Sequence, residues 1–234
     1  MTYKHYWVHD ESESCGYLYD KEEVEEYLNG SEPLNLISKA SYDSRVKEGY
    51  IVTKPIKKLR HAMIDLESMA TTPDAAIVSV GIIIFDPRYG KVSDQTFYRE
   101  LEWEHQERCI SPNTRQWWSE QSKEARAALH GLDSLEDILL EIVDFLPQDC
   151  KVWGNGSIFD IAMLEDAYRQ YDIDIPWEFW NVRDCRTVLD MYESQRGGFN
   201  KKSGGTLHNA LDDARYQAQY ITMMWNKLLG DKEK

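Results

Sequence analysis

The sequence predicts an α/β fold, a mixed β-sheet flanked by helices, with a small appendage on its N-terminal side. Two apolar runs rich in branched residues follow each other after residue 60, an alternating segment comes next, and strand–helix pairs fill the rest of the chain. A meander followed by strand–helix units is typical of a mixed sheet with helices on both faces. We therefore divide the chain into an appendage at residues 1–58 and one larger domain at residues 59–234.

The appendage combines strand and helix signals. YWVHD and CGYLYD flank the turn-like ESES and predict a hairpin, and KEEVEEYLNG predicts a short acidic helix. Its role stays open between covering a sheet edge, contributing to a dimer and binding a partner.

The larger domain begins with three predicted strands, HAMIDLE, AIVSVGIIIFD and VSDQTFYRELEW, which turn signals separate. Three helices are predicted next in NTRQWWSEQ, KEARAALHG and SLEDILLEIVDFLP, the last of which repeats its apolar residues with helical spacing. CKVWGNG predicts a fourth strand, and SIFDIAMLEDAYRQY predicts the helix after it. The final two helices are predicted in VRDCRTVLDMYE and TLHNALDDARYQAQYITMMWNKLL.

The composition indicates a folded protein without a membrane partner. Of the 234 residues, 42% are hydrophobic and 12% are aromatic, which excludes a disordered chain. No apolar run approaches the roughly 18 residues that span a bilayer, and the start lacks the features of a signal peptide, so a cytoplasmic location is expected. The four cysteines form no C-x-x-C pair, which favours reduced thiols over a zinc site or a disulfide framework.

The formal net charge of -14 argues against a protein that coats long nucleic acid with lysine and arginine. An enzyme that grips only a chain end is still allowed, because carboxylates gathered around divalent ions add to the acidic count while the ions reverse the local field. The charge therefore leaves two classes open, a metal-dependent enzyme and an acidic binding protein.

Asp65 and Glu67 stand two residues apart on a predicted strand, so both carboxylates project from one face. Ile64 and Leu66 point to the other face. Acids on a strand face that is turned toward the core are unfavourable unless they are paired or bind metal. A solvated edge strand is the alternative explanation.

Two further acids stand at predicted helix starts. Asp160 opens a helix after a Gly-rich turn, where Asn155 is a candidate cap, and Asp212 and Asp213 follow His208 at the start of the last helix. Taken separately, these acids only complement helix dipoles.

The order of the three motifs is more specific than any one of them. D-x-E on a strand, N-x-x-x-F-D opening a helix and H-x-x-x-x-D in the last helix resemble the DnaQ-like exonucleases of the DEDD superfamily, histidine subtype. The resemblance covers roughly residues 60–229. NTRQWWSEQSKEAR and FWNVRDCRT resemble segments of a branch that contains a phage single-strand DNA exonuclease and bacterial exoribonuclease-like proteins.

This resemblance implies a ribonuclease H-like sheet and a metal-dependent 3'-5' exonuclease that releases 5'-mononucleotides from the 3' end of single-stranded DNA or RNA. Members of the branch differ in the nucleic acid they attack, so the sugar stays open. Related exonucleases often pair, which leaves a homodimer as an open alternative. An endonuclease on the same fold and a nonenzymatic acidic protein, such as a DNA mimic, are the competing functions.

The resemblance also assigns roles to residues. Two Mg²⁺ or Mn²⁺ ions are held by the four motif acids, Asp65, Glu67, Asp160 and Asp213. Such ions prefer oxygen ligands, and a pair about 3.5 to 4 Å apart clamps the attacking and leaving oxygens of a phosphodiester. His208 acts as the general base toward the attacking water, which suits a side chain that titrates near neutral pH. Asp213 matches the family spacing from His208, whereas Asp212 is expected to face solvent or to support the ligands from behind.

Candidate substrate contacts complete the predicted site. By the resemblance Ser68 and Met69 line the pocket of the terminal nucleotide, although Met69 equally fits a core position. Trp117 and Trp118 point about 100 degrees apart on a helix, so one can stack on a base while the other enters the core, and core packing of both is the alternative. We take Trp118 as the candidate, and with it Asn155 and Arg183. A basic stretch before the final helix, which includes the loop GGFNKKSGG, can contact substrate phosphates, and a merely solvated loop is the alternative; its basic residues are Arg183, Arg186, Arg196, Lys201 and Lys202.

Overall fold

The computed structural model describes residues 59–199 and 208–229, together with the backbone of four short strands nearer the N-terminus. The chain divides into two compact units, Met1–Lys58 and Leu59–Lys234. The helix predicted in KEEVEEYLNG and most of the loop GGFNKKSGG lie outside the described residues.

The first unit contains one sheet in the strand order β3-β1-β2-β4. β1 and β2 pair antiparallel, as expected of the YWVHD and CGYLYD hairpin. The strands are β1 His5–Val8, β2 Cys15–Tyr19, β3 Asn35–Ile37 and β4 Ile51–Thr53.

The second unit is built on a five-stranded mixed sheet in the order β7-β6-β5-β8-β9. The first three of these strands form an antiparallel meander, and the last two run parallel to β5. The strands are β5 His61–Ser68, β6 Ile77–Asp86, β7 Lys91–Glu100, β8 Lys151–Gly154 and β9 Val182–Asp184. β9 corrects the prediction that VRDCRTVLDMYE is wholly helical, because its first three residues extend the sheet before the helix begins.

Six α-helices accompany this sheet in the described part of the chain. They are α1 Pro112–Ser119, α2 Lys123–Arg126, α3 Leu135–Phe145, α4 Ser157–Gln170, α5 Cys185–Arg196 and α6 Ala210–Leu229. Within that part of the chain, no helix combines the length and the apolarity needed to cross a membrane.

Apolar side chains on both faces of the sheet hold the helices in place. Ile64 and Leu66 of β5 pack into one core cluster with α3 and α4, and Met63 packs on the other face with α5 and α6. Because side chains alternate along a strand, Asp65 and Glu67 project toward the α6 face with Met63.

Gly81 on β6 lets the start of α6 lie directly on the sheet. It pairs with Asp65 of β5, and a Cβ at this position would overlap the backbone of Ala210 and Leu211. This close approach places the first turn of α6 above the acids of β5.

Candidate active site

Three of the four predicted metal ligands meet where β5 passes under α6. Carboxylate oxygens of Asp65, Glu67 and Asp213 all lie within 4.8 Å of one another. Two of these acids share one face of β5 because of strand alternation, and the third comes from the first turn of α6. Three half-buried carboxylates at this separation are suited to hold a divalent cation.

Asp160 reaches the same place from the first turn of α4. Its side chain is 3% exposed, and its Oδ1 accepts a hydrogen bond of 3.2 Å from the backbone N–H of Leu66. A Cβ at Gly154 would lie 3.1 Å from Asp160 Oδ2, so the glycine leaves room for this carboxylate. The structure thus fastens the fourth acid to the strand that carries the first two.

These acids line a pocket of about 410 Å³. His208 and Asn155 line the same pocket, so the main predicted catalytic groups share one cavity. Apart from Leu66, its other lining residues have polar or aromatic side chains, namely Arg186, Gln217, Phe159, Tyr216 and Tyr220.

Burial and mutual repulsion make the clustered acids resist ionisation. Burial raises the pKa of Glu67 to about 8, and the charges of Asp213 and Asp160 add to the rise. Burial also raises the pKa of Asp160 to about 7. The pKa of Asp65 is raised by burial and then by the charges of Asp160 and Glu67. A bound divalent cation would relieve this repulsion and stabilise the ionised forms, so this donor set fits such a cation.

His208 stands just before α6 with a left-handed backbone, at φ 61 degrees. Residues other than glycine seldom adopt this conformation, and at functional sites it is held by the surrounding structure. The His208 ring meets the edge of Trp117, with ring centroids 4.8 Å apart and an interplanar angle of 86 degrees. Asp213 accepts a hydrogen bond from the His208 backbone, which links the two predicted functional residues directly.

Gln217 and Arg186 also line the pocket; Gln217 was not predicted, and Arg186 was predicted only as a member of the basic stretch. Gln217 Nε2 donates a hydrogen bond of 2.7 Å to Asp65 Oδ1. Its signal is the i+4 spacing from Asp213, which places both on one helix face. Arg186 lines the pocket, and its positive charge lowers the pKa of Asp160, against the larger effect of burial.

The structure places Arg183, one of the predicted substrate contacts, outside the pocket that the acids line. Its guanidinium donates to the carbonyl oxygens of Trp180, at 2.6 Å, and Val182, at 2.8 Å. It does not line the pocket, whereas Arg186, three residues later, does. Arg183 lies within β9, whereas Arg186 lies beyond the end of the strand, in the first turn of α5.

The tryptophan assignment is also corrected. Trp118 is 1% exposed, and its Nε1 donates to the Ser68 carbonyl at 3.0 Å, so its ring lies in the core. Trp117 is 38% exposed and packs on His208. The exposed member of the pair is therefore Trp117.

The side chains of Ser68 and Met69 are not among the residues that line the pocket. Met69 is buried in a cluster that includes Trp118, which is the core alternative. Ser68 is buried, and its hydroxyl donates to the Ala70 carbonyl at 2.7 Å. Asn155, in contrast, keeps a buried Oδ1 that has no hydrogen-bond partner among the described residues, and it lines the pocket.

Sequence comparison identifies related nucleases. The model of a family described as the 3'-5' exoribonuclease Rv2179c-like domain matches residues 60–225. An exodeoxyribonuclease of Enterobacteria phage T4 is 28% identical over an alignment that covers 55% of this chain and 70% of that protein.

Solved nuclease structures share the fold at low sequence identity. Cell-death related nuclease 4 aligns with a TM-score of 0.55 and 10% identity, over 71% of this chain and 64% of that chain. E. coli exonuclease I, in complex with a dA16 oligonucleotide, aligns with a TM-score of 0.54 and 12% identity, over 72% of this chain and 42% of that chain. S. pombe Pop2p, in its Mg²⁺- and Mn²⁺-bound form, aligns with a TM-score of 0.52 and 13% identity, over 74% of this chain and 86% of that chain. The chain spans less than two thirds of the length of the first two proteins. The shared fold confirms the predicted ribonuclease H-like sheet.

Proposed function

Because the chain belongs to the family of the 3'-5' exoribonuclease Rv2179c-like domain, we propose that it removes 5'-mononucleotides one at a time from the 3' end of single-stranded nucleic acid. The membership confirms the prediction of a DnaQ-like 3'-5' exonuclease. The family description names RNA and the T4 relative acts on DNA by its name, so the proposal includes both substrates.

The observation that carries the proposal is the acid cluster, defined as Asp65, Glu67, Asp160 and Asp213. Three of these carboxylates lie within 4.8 Å, and the fourth lines the same pocket. We assign them as ligands of two Mg²⁺ or Mn²⁺ ions, which prefer carboxylate oxygens. When bound, such ions activate the attacking water and neutralise charge on the scissile phosphate and the leaving oxygen.

The remaining steps fall to side chains of this chain. His208 takes the proton from the attacking water, and the Trp117 ring braces the imidazole at the pocket. Gln217 holds Asp65 through its carboxamide N–H and so fixes the orientation of that carboxylate. Arg186 and Asn155 bind the phosphate and sugar of the terminal nucleotide, since they offer a cation and an amide at the pocket wall.

The size of the pocket is compatible with a terminal nucleotide. Its volume of about 410 Å³ falls within the range of small-molecule sites, roughly 300 to 1,000 Å³. The homodimer and the cytoplasmic location remain predictions from the sequence.

The test uses 5'-labelled single-stranded DNA and RNA of one sequence, incubated with Mg²⁺, Mn²⁺ or chelator. We expect a ladder that shortens from the 3' end, that chelator abolishes and that a 3'-terminal phosphate block slows strongly. Equal cutting of blocked and unblocked strands at internal positions would favour the endonuclease. If the protein cleaves no oligonucleotide with any metal but binds a basic nucleic-acid-binding protein tightly without an oligonucleotide, the acidic mimic would be favoured.

A further inference from the structure

Two large aromatic side chains stand exposed in the short helical turn Phe179–Asn181, just before β9. Phe179 is 79% exposed and Trp180 is 59% exposed, and their ring centroids lie 4.7 Å apart. Side chains of this size gain free energy from burial, and adjacent exposed aromatic rings are frequent at binding surfaces. The turn therefore presents an aromatic platform that the acid cluster does not use.

Basic side chains lie beside this platform. The Arg183 guanidinium donates to the Trp180 carbonyl at 2.6 Å, so it is fixed next to the rings. Lys151 begins the neighbouring strand β8, directly before the residue that pairs with Val182 of β9. Its pKa is lowered by burial and then by the positive charges of Arg88 and Arg183, while Asp86, which pairs with Arg88, acts in the opposite direction. Arg183 and Lys151 thus place two cations near the rings, and such side chains bind phosphates.

This surface lies at the other end of the sheet from the catalytic pocket. Lys151 pairs with His61, the first residue of β5, whereas Asp65 and Glu67 come four and six residues later. At about 3.3 Å per residue, the separation along the strand is roughly 13 to 20 Å. A strand of several nucleotides is needed to reach both places.

The chemistry of the surface fits one class of partner. Single-stranded nucleic acid offers bases that stack on exposed aromatic rings and phosphates that pair with lysine and arginine. A second copy of this chain could bury the rings, but it offers no regular series of phosphates for the neighbouring cations. An acidic peptide would satisfy the cations and leave the rings in water.

We propose that the surface formed by Phe179, Trp180, Lys151 and Arg183, the aromatic-basic surface, binds the part of a single-stranded substrate that lies upstream of its 3' end. The inference rests on the proposed function and narrows its substrate class to strands long enough to occupy both the catalytic pocket and this surface. Short oligonucleotides reach the catalytic pocket alone and bind more weakly.

The experiment compares a trinucleotide with a 20-nucleotide strand of the same 3' sequence. In the unaltered protein we expect a lower KM for the long strand. Trp180→Ala should raise that KM about tenfold, the order of one lost base–aromatic stack, and leave kcat and the trinucleotide KM unchanged. Lys151→Gln should reduce the salt dependence of binding to the long strand by a slope of about one.

Two matched controls separate the surface from general effects of exposure and charge. Leu132→Ala removes another side chain that is 85% exposed, and Lys123→Gln removes an exposed lysine on α2. Both should leave the ratio of the two KM values unchanged. The melting temperature of every variant shows that it is folded.

Equal KM values for the two lengths in the unaltered protein would overturn the proposal. A Trp180→Ala variant that raises the KM of both strands equally would also overturn it. So would a Trp180→Ala variant that changes the oligomeric state while its affinity for the long strand stays the same. If the unaltered protein cleaves neither strand, the proposed function fails, and the anisotropy of a labelled 20-mer in chelator still decides whether the aromatic-basic surface binds it.

Discussion

Asp212 and Asp213 are adjacent residues with different surroundings. Asp213 belongs to the group of carboxylates within 4.8 Å, and Asp212 does not. We predict that Asp213→Asn lowers kcat by at least about 100-fold, because it removes a proposed metal ligand, while Asp212→Asn stays within about twofold. Steady-state cleavage of one oligonucleotide measures both. A larger loss in Asp212→Asn would show that the wrong acid was assigned.

Substitution of Gln217 tests whether this side chain positions the Asp65 carboxylate. Gln217→Leu removes the donor to Asp65 Oδ1, so we expect the Mg²⁺ concentration at half-maximal activity to rise about 10- to 100-fold. Gln219→Leu is the matched control, since Gln219 is exposed on the same helix. Activity is followed across a Mg²⁺ titration. An unchanged Mg²⁺ dependence in Gln217→Leu would refute the positioning role.

For single residues, the sequence was informative where a motif specifies the residue type. It was less informative where the direction of a side chain decides its role. The spacing of the motif acids and His208 was enough to place them in one pocket. The angle between Trp117 and Trp118 did not indicate which ring faces the core, and nothing local told Arg183 from Arg186. Those choices depend on where the helix and strand pack, which is a tertiary property.

Among the elements, the contact of α6 with β6 sets the height of the catalytic helix above the sheet. Gly81→Ala would force the backbone of Ala210 and Leu211 away, so we predict a loss of about 1 to 3 kcal/mol in the free energy of unfolding and a marked fall in kcat. Gly198→Ala, where a Cβ meets nothing within 4 Å, is the control. Thermal unfolding and oligonucleotide cleavage measure the two effects. A stable and fully active Gly81→Ala variant would contradict this role of the contact.

β9 shows why one element escaped prediction. It has three residues, too few to display an alternating pattern, and it is followed at once by α5. Asp184 ends the strand and caps α5 by accepting from the N–H of Arg186, at 2.8 Å, and of Thr187. It also accepts from the N–H of Ser157 at the start of α4. One acid outside the motifs therefore joins two helix starts beside the pocket.

For the whole molecule, the acid cluster couples folding to pH. The pKa of Glu67, about 8, and that of Asp160, about 7, lie above the ordinary values of 4.5 and 3.8 because of burial. Between about pH 4 and pH 8 the folded protein without metal thus binds more protons than the unfolded chain. The stability that these groups contribute is fully present below their pKa values in the unfolded chain. It is lost as pH rises through their pKa values in the folded protein.

We therefore predict that in chelator the melting temperature falls between pH 5 and pH 8, apart from the titration of other groups. Mg²⁺ should reduce this fall, because the cation binds the ionised carboxylates. Asp213→Asn should reduce it too, since the charge of Asp213 adds to the raised pKa of Glu67. A melting temperature that rises with pH in chelator and is insensitive to Asp213→Asn would contradict the account.

The overall architecture was largely accessible from the sequence. The meander, the strand–helix units and the alternation of β5 predicted the mixed sheet with helices on both faces. The lining of the pocket was less accessible, because Gln217 and Arg186 come from two different helices and meet the acids only after folding.

We propose that the acid cluster is a two-metal centre that holds a 3'-terminal nucleotide. A crystal structure grown with Mn²⁺ and a 5'-nucleoside monophosphate tests it most directly, through the anomalous scattering of manganese. We expect two manganese peaks among the carboxylates of Asp65, Glu67, Asp160 and Asp213, with the phosphate beside them and the His208 ring facing it. Manganese-free carboxylates, with the nucleotide bound elsewhere, would contradict it.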